Sequence, residues 1–249
     1  MTTPNAITSP ITSTAPSRYS GVLLIAEGVL AFAPLAILAP AIGWPASLGE
    51  PAAVQMIAIA AEADAVRLGY SVYLLYSLLI LPAMAVLAHH ALRGPGIRAP
   101  MSLIATVIGF AAASALARCI GILRWLTAMP LLAADYATAN AAQRPEIERL
   151  FGALSEYGGA IGEVLGVSLF MAAAMLALLV PAWRNRSLPR AFSASGIVVA
   201  LGIAALSLPI FGSPELVPIA VAVTALSVWQ IAIGIWLIAS RPAIQSNNC

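Results

Sequence analysis

Long, uninterrupted runs of apolar residues dominate the pattern of this chain. A membrane-spanning helix needs about 20 mostly apolar residues to cross roughly 30 Å of hydrocarbon. The runs are continuous rather than alternating, which favours helices over the strands of a membrane barrel. The sequence therefore predicts an all-α integral membrane bundle of six transmembrane helices. The six blocks lie at about residues 19–40, 68–92, 101–130, 157–182, 192–212 and 216–240.

The segments around these blocks complete the predicted domain organisation. Residues 19–240 form the transmembrane domain, whereas residues 1–18, rich in Ser, Thr and Pro, predict a disordered cytoplasmic tail. Residues 241–249 predict a second cytoplasmic tail. Between the first two blocks, the run AAVQMIAIAAEADAV predicts a short helix at the membrane interface. Pro145 suits a first helical position, so the fourth helix is expected to begin outside the bilayer.

The composition also indicates a membrane protein. Hydrophobic residues make up 61% of the chain and charged residues 9%, whereas a soluble domain carries roughly 25% charged residues. The chain contains no Lys and much Ala, which is typical of a GC-rich bacterial genome. We therefore expect a multi-pass protein of the bacterial inner membrane, with membrane lipids as partners. Its Arg residues are dispersed rather than arranged in a stripe, so no nucleic-acid partner is predicted.

The distribution of Arg residues predicts the orientation of the bundle, because cytoplasmic loops carry an excess of basic residues. The predicted loops alternate between a side rich in Arg and a side rich in Asp and Glu. The first side holds Arg18, Arg93, Arg98, Arg184, Arg186, Arg190 and Arg241, without an acidic residue. The second side holds only Arg67, Arg144 and Arg149. Both termini are therefore predicted to lie in the cytoplasm.

Charged residues inside the predicted spans are the candidate functional residues. A charge at the centre of a spanning helix costs roughly 2.5–3.5 kcal/mol, so it needs a partner, a wet cavity or access to the interface. Arg118 on the third helix and Glu163 on the fourth reach similar depths in the outer half, and they predict an ion pair. Arg124 lies nearer the outer surface, within expected reach of Glu156. Glu156 and Glu163 share one face of their helix.

Two interpretations of these charges stay open. They form a ligand-binding pocket open to the outside, or they form a buried pair that only fixes how two helices pack. Tyr73 and Tyr76 are candidates to line such a pocket. Tyr70 and Tyr157 are more typical of the aromatic belt at the membrane interface.

Glu27 on the first helix is a separate case, because no basic residue is expected at its depth on another helix. His89 and His90 are the nearest titratable residues that the pattern predicts. One interpretation is a proton-carrying Glu–His couple. The other is a protonated Glu27 that is hydrogen-bonded to a neighbouring helix.

Small residues and prolines predict details of the packing. Gly158, Gly162 and Gly166 recur at four-residue spacing, which lets another helix approach closely. Packing within the bundle is one explanation, and a homodimer through these glycines is the alternative. Pro34 and Pro82 fall inside the first two blocks and predict kinks.

Recognisable catalytic chemistry is missing from the sequence. Adjacent His residues point about 100° apart on a helix, which does not suit a bis-His haem site. No zinc-ligand cluster, phosphate-binding loop or nucleophile elbow occurs. We therefore predict no metal, no cofactor and no catalytic residue, and the pattern favours a protein that is not an enzyme.

Several segments resemble one known family. They are Arg67-Leu68-Gly69, Arg118 in the Ala-rich third helix, SEYGGAIGEVLG at 155–166 and RNRSLPRAFSASG at 184–196. Over about residues 20–210 the chain resembles a bacterial multi-pass membrane protein family catalogued as domain of unknown function 4386. The resemblance implies a multi-helix membrane fold and adds no catalytic residue.

The sequence leaves more than one function open. The first is a small-molecule binding or transporter-like protein with an outward-facing polar pocket around Arg118 and Glu163, although no inverted repeat is evident. The second is a structural or regulatory membrane protein that acts through lipid or protein partners, with Arg184, Arg186 and Arg190 as contacts. A weaker alternative is an intramembrane enzyme that modifies lipids.

Overall fold

A computed structural model describes residues 18–93 and 99–240 of the 249-residue chain. Within these two ranges the protein is an α-helical bundle without a strand. The helices are α1 Arg18–Leu30, α2 Ala33–Ile42, α3 Ala52–Ala61, α4 Ala63–Leu92, α5 Met101–Leu126, α6 Ala128–Thr138, α7 Arg144–Gly159, α8 Met171–Asn185, α9 Arg190–Ala205 and α10 Ile219–Ala239. A π-helical segment, Ala160–Phe170, joins α7 to α8, and short 3-10 turns lie at Ala46–Gly49 and Leu208–Phe211.

The all-α membrane architecture predicted from the sequence is confirmed. Five helical stretches are long and apolar enough to cross a bilayer, and they coincide with the first, second, third, fourth and sixth predicted blocks. The fifth block corresponds to α9, which is only 16 residues long. Pro209 lacks the backbone N–H that a longer α-helix requires, and the chain continues there as a 3-10 turn. A count of six spans therefore stays a prediction, as does the orientation of the bundle.

Two of the spans contain interruptions that shape the molecule. The first span is broken between α1 and α2, directly before Pro34, which lies at the start of α2. Pro82, by contrast, lies inside α4, which continues past it. The fourth helix begins at Arg144, outside its apolar block, as Pro145 predicts. Its π-helical segment was not predicted, and such segments are rare and often occur at functional sites.

The helices pack into two hydrophobic clusters. In the larger cluster, α1 packs along α10 and α4 along α5, while α8 packs against α5 and α9. The smaller cluster joins α2, α3, the start of α4, the end of α5, α6 and α7. The predicted interfacial helix is α3, which ends at Ala61 and packs against α6. The indole ring of Trp236 contacts both His90 and Phe192. The end of α4, the start of α9 and the end of α10 therefore meet at the Arg-rich end of the bundle, opposite the smaller cluster.

Some predictions fall on parts of the chain that the structure does not describe. Residues 1–17, 94–98 and 241–249 lie outside the described residues. The two predicted tails therefore lie almost wholly outside this description, and so do Arg98 and Arg241.

Candidate functional site

A cavity of about 450 Å³ lies where the two hydrophobic clusters meet. Its walls come from the break between α1 and α2, the turn after α2, and helices α4, α5, α7 and α10 with the π-helical segment. Most of the lining is apolar or aromatic. The charged residues of the lining are Arg118, Arg124 and Glu163.

The irregular parts of the fold create this space. The break between α1 and α2 places Ala31 and Phe32 in the cavity wall. Gly43 ends α2 with a φ of 70°, a left-handed conformation that glycine adopts without strain. This turn brings Trp44 and the following residues across the cavity.

Arg118 is buried in the cavity wall and incompletely paired. Its side chain is only 2% exposed. Its Nη1 donates a 3.4 Å hydrogen bond to the Tyr76 hydroxyl, while Nε and Nη2 are buried without a partner among the described residues. The stem of the side chain lies against Gly166, where a Cβ atom would stand 2.9 Å from Arg118 Cγ. The Ser114 hydroxyl donates a 2.7 Å bond to the Gly166 carbonyl, which holds the π-helical segment to α5.

Arg124 lies one to two turns further along α5, beside a second glycine. Its guanidinium carbon is 5.3 Å from the centre of the Trp125 ring. A Cβ atom at Gly158 would stand 2.6 Å from Arg124 Cδ, so a larger residue there would require the Arg124 side chain to move. Arg124 lies within electrostatic range of Glu163 and Glu156, without a direct ion pair.

The predicted ion pair between Arg118 and Glu163 is wrong, although both residues line the same cavity. Within the described residues, the ion pairs join Arg67 to Asp64 and Arg149 to Glu146. Gly162 and Gly166 face α5, since Gly162 packs on Gly121 and Gly166 on Arg118. Glu163 therefore points aside into the cavity, and Arg124 is its main electrostatic partner.

Glu27 has a different neighbour from the one that the sequence predicts. The side chain is fully buried, and neither carboxylate oxygen has a hydrogen-bond partner among the described residues. Arg118, rather than His89 or His90, is the charged group within electrostatic range. His90 instead contacts Trp236 at the far end of the bundle. Estimating the depth of each residue along its own helix missed the proximity of Glu27 to Arg118, because depth alone does not show which helix faces pack together.

Of the remaining candidates, Glu156 lies outside the cavity lining, whereas Gly158 and Gly162 are part of it. Glu156 is an exposed residue on α7 within electrostatic range of Arg124. Gly158, Gly162 and Gly166 pack on α5 of the same chain, so the homodimer stays a prediction without support from these contacts. In the described ranges, no group of three or more His, Cys, Asp or Glu side chains is placed to hold a metal ion.

Aromatic side chains form much of the cavity wall, and sequence reasoning missed several of them. Tyr70 stacks on Trp125 with ring centres 5.1 Å apart and an angle of 2°. Trp44 meets Tyr73 edge to face at 5.9 Å. Tyr70 thus belongs to the cavity rather than to the interface, whereas Tyr157 is 69% exposed. The Gly-Trp-Pro sequence at 43–45, directly after a span, was the available signal for Trp44.

Comparisons with known proteins identify a family but no activity. The family model described as "Domain of unknown function (DUF4386)" matches residues 19–240. No curated protein matches the chain, and no solved structure matches it.

Proposed function

The chain belongs to the DUF4386 family of domains of unknown function, and from its cavity we propose that it binds a small amphipathic molecule with an anionic group. On the predicted orientation the cavity faces outward, in the bacterial inner membrane. The ligand enters from the outer side or from the outer leaflet. Binding is the primary activity, and transport would be a use of the same site.

The observation that carries this proposal is the partial pairing of Arg118. The Nε and Nη2 groups lie on one edge of the guanidinium, and this edge matches a carboxylate, phosphate or sulfonate with two parallel hydrogen bonds. Both groups are buried and unpartnered, although a buried polar group without a partner is costly. Because both groups are shielded from solvent, the Arg118 side chain would have to turn toward the cavity for a bound anion to supply the missing acceptors.

The rest of the cavity suits an apolar or aromatic body. Ligand sites of drug-sized molecules measure about 300–1,000 Å³ and combine apolar walls with a few polar groups. The present cavity, at about 450 Å³, falls within this range. Tyr70, Trp125 and Trp44 offer flat aromatic surfaces. The carboxylate of Glu163 would accept a hydrogen bond from a donor group on the ligand.

A second candidate function concerns the Arg-rich end of the bundle. Arg184, Arg186 and Arg190 are exposed around the turn between α8 and α9. Basic residues beside a membrane attract anionic lipids by about 1 kcal/mol each. A structural or regulatory role through lipid contacts would use this turn rather than the cavity, and it is compatible with ligand binding.

Calorimetry on the purified protein in lipid nanodiscs tests the proposed function. The probe is decanesulfonate, and 1-decanol is its uncharged match; empty nanodiscs give the background. We expect decanesulfonate to bind more tightly than decanol, and Arg118→Gln to weaken sulfonate binding about ten- to hundredfold, since hydrogen bonds to charged groups contribute about 1.5–3 kcal/mol.

Arg67→Gln is the control, because it makes the same change at an exposed arginine outside the cavity. It should bind decanesulfonate like the parent. Equal binding of sulfonate and alcohol would contradict the proposal, and so would unchanged sulfonate binding by a folded Arg118→Gln protein.

A further inference from the structure

The charges in the cavity wall act on one shared space. Arg118, Arg124 and Glu163 line the cavity, and within the described residues none of them forms a direct ion pair. Tyr73 lines the same cavity and lies within electrostatic range of all three. A ligand that lies in the cavity beside Tyr73 therefore interacts with two cations and one anion at once.

The π-helical segment fixes the position of Glu163 relative to α5. A Cβ atom at Gly162 would stand 3.2 Å from Gly121 Cα. A Cβ atom at Gly166 would stand 2.9 Å from the backbone nitrogen of Arg118. Glu163 lies between these two contacts, within about one helical turn of each, and its exposed side chain lines the cavity. The carboxylate therefore faces the cavity close to the level of Arg118.

Charged and titratable groups from three helices lie within electrostatic range of Glu163. The charged groups are Arg124 on α5 and Glu156 on α7. The other titratable groups are Tyr70 and Tyr73 on α4. Glu156 is exposed and lies outside the cavity lining, so Arg124 is the cation that balances Glu163 within the cavity.

The charge of Arg118 is not balanced by a second acidic group. Glu27 lies behind it and is fully buried, and among the described residues it has neither a hydrogen-bond donor nor a direct ion pair. A carboxyl group in this setting is neutral, because an isolated buried carboxylate costs far more than the protonated acid. With Arg118 and Arg124 against Glu163, the lining carries two positive charges and one negative charge, which is a net charge of one positive.

We propose that Glu163 restricts the ligand to a single negative charge, so that the cavity binds sulfonates, carboxylates or phosphodiesters and rejects doubly charged phosphate monoesters. This inference rests on the proposed function. A singly charged anion at Arg118 brings the lining and the ligand together to zero net charge. A doubly charged anion leaves one negative charge uncompensated in surroundings of low polarity, and Glu163 repels that charge.

Two phosphates that differ by one charge test this inference. At about pH 8, decyl phosphate carries two negative charges, because a phosphate monoester loses its second proton with a pKa of about 6. Its methyl ester, methyl decyl phosphate, carries only one. Calorimetry on the protein in nanodiscs, with empty nanodiscs as background, gives both affinities. We expect the parent protein to bind the methyl ester at least about tenfold more tightly, the effect of one like charge at about 10 Å in surroundings of intermediate polarity.

Variants of Glu163 assign the preference to this residue. Glu163→Gln removes the repelling charge and should reduce the preference for the methyl ester about tenfold, chiefly because decyl phosphate binds more tightly. Glu163→Ala removes the same charge at this exposed position and takes its place if Glu163→Gln does not fold. Glu163→Asp retains the charge and should retain the preference. Glu62→Gln makes the same change at an exposed acidic residue outside the cavity, and it should bind both phosphates like the parent protein.

The two proposals fail in different ways. Equal binding of the two phosphates by the parent protein, or a preference that is unchanged when the charge of Glu163 is removed, would overturn the role of Glu163 and leave the anion site at Arg118 intact. Absence of saturable binding of both methyl decyl phosphate and decanesulfonate by the parent protein would overturn the proposed function itself.

Discussion

The two ends of the bundle are built from the same apolar residue types, yet the Arg-rich end has a packed interior with an open depression at its surface, whereas the other end holds a cavity between its helices. At the Arg-rich end, side chains such as Leu87, Met175 and Leu178 are fully buried in regular helices. At the other end, the first span breaks after Leu30 and the fourth turns into a π-helix at Ala160. The two ends therefore do not differ in their apolar composition. They differ because helices are interrupted at the end that holds the cavity.

The charges follow the same division. Arg118, Arg124 and Glu163 line the cavity, and Glu27 lies just behind it. The described arginines of the Arg-rich end lie at its surface, where a charge costs little. Irregular backbone is tolerated in membranes where it lines a cavity or is buried in protein. At the end that holds the cavity, the helices are therefore less regular, and the space between them accommodates charged residues.

The largest expected effect concerns which side of the membrane each end faces. We predict that a cysteine at Ser187 is labelled only from the cytoplasm and one at Asn140 only from outside, in a chain whose native cysteines are replaced. A membrane-impermeant maleimide on intact and permeabilised cells checks this. Labelling of both positions from the same side would contradict the prediction that the two ends face opposite sides of the membrane.

The next effect tests how the helices pack at the end that holds the cavity. A Cβ atom at Gly121 would stand 2.8 Å from Gly162 Cα and 2.9 Å from the Gly158 carbonyl oxygen, and backbone cannot move aside easily. Gly121→Ala should therefore destabilise the protein by about 1–3 kcal/mol, as overpacking does. Thermal unfolding in detergent measures the change. Gly109→Ala on the same helix meets no atom within 4 Å and should be neutral or stabilising; equal losses at both sites would contradict the packing.

A smaller effect distinguishes the two carboxylates near Arg118. A double-mutant cycle of Arg118→Leu with Glu27→Leu should show a coupling energy of about 1 kcal/mol or more, because neighbouring groups are not independent. The cycle with Glu163→Leu should stay below about 0.5 kcal/mol, the usual limit for uncoupled sites. Unfolding in detergent again gives the values. A larger coupling to Glu163 than to Glu27 would contradict the proximity of Glu27 to Arg118.

The sequence predicted the regular parts of the molecule well. Long apolar runs locate α4, α5 and α10 because a span is a one-dimensional property of length and hydropathy. Pro34 indicated the interruption of the first span, and Pro145 indicated that α7 begins before its apolar block. Each of these features depends on residues close together in the chain.

The site was harder to predict because it depends on which helix faces meet. Arg118, Arg124 and Glu163 were identified by their cost inside a membrane, and all three line the cavity. The pairing was wrong because depth along a helix does not give direction around it. Gly162 and Gly166 occupy the contact with α5, and Glu163 is turned away from Arg118. No pattern in residues 160–170 signals a π-helix.

Photolabelling tests the central claim, an anion site at Arg118 in the cavity, most directly. An alkyl sulfonate with a diazirine in its chain is activated on the protein in nanodiscs, and the adducts are located by peptide mass spectrometry. We predict adducts on cavity residues such as Tyr70 and Trp125, which excess decanesulfonate and Arg118→Gln both abolish. Adducts spread over the lipid-facing surface, or cavity adducts that persist unchanged in Arg118→Gln, would contradict the claim.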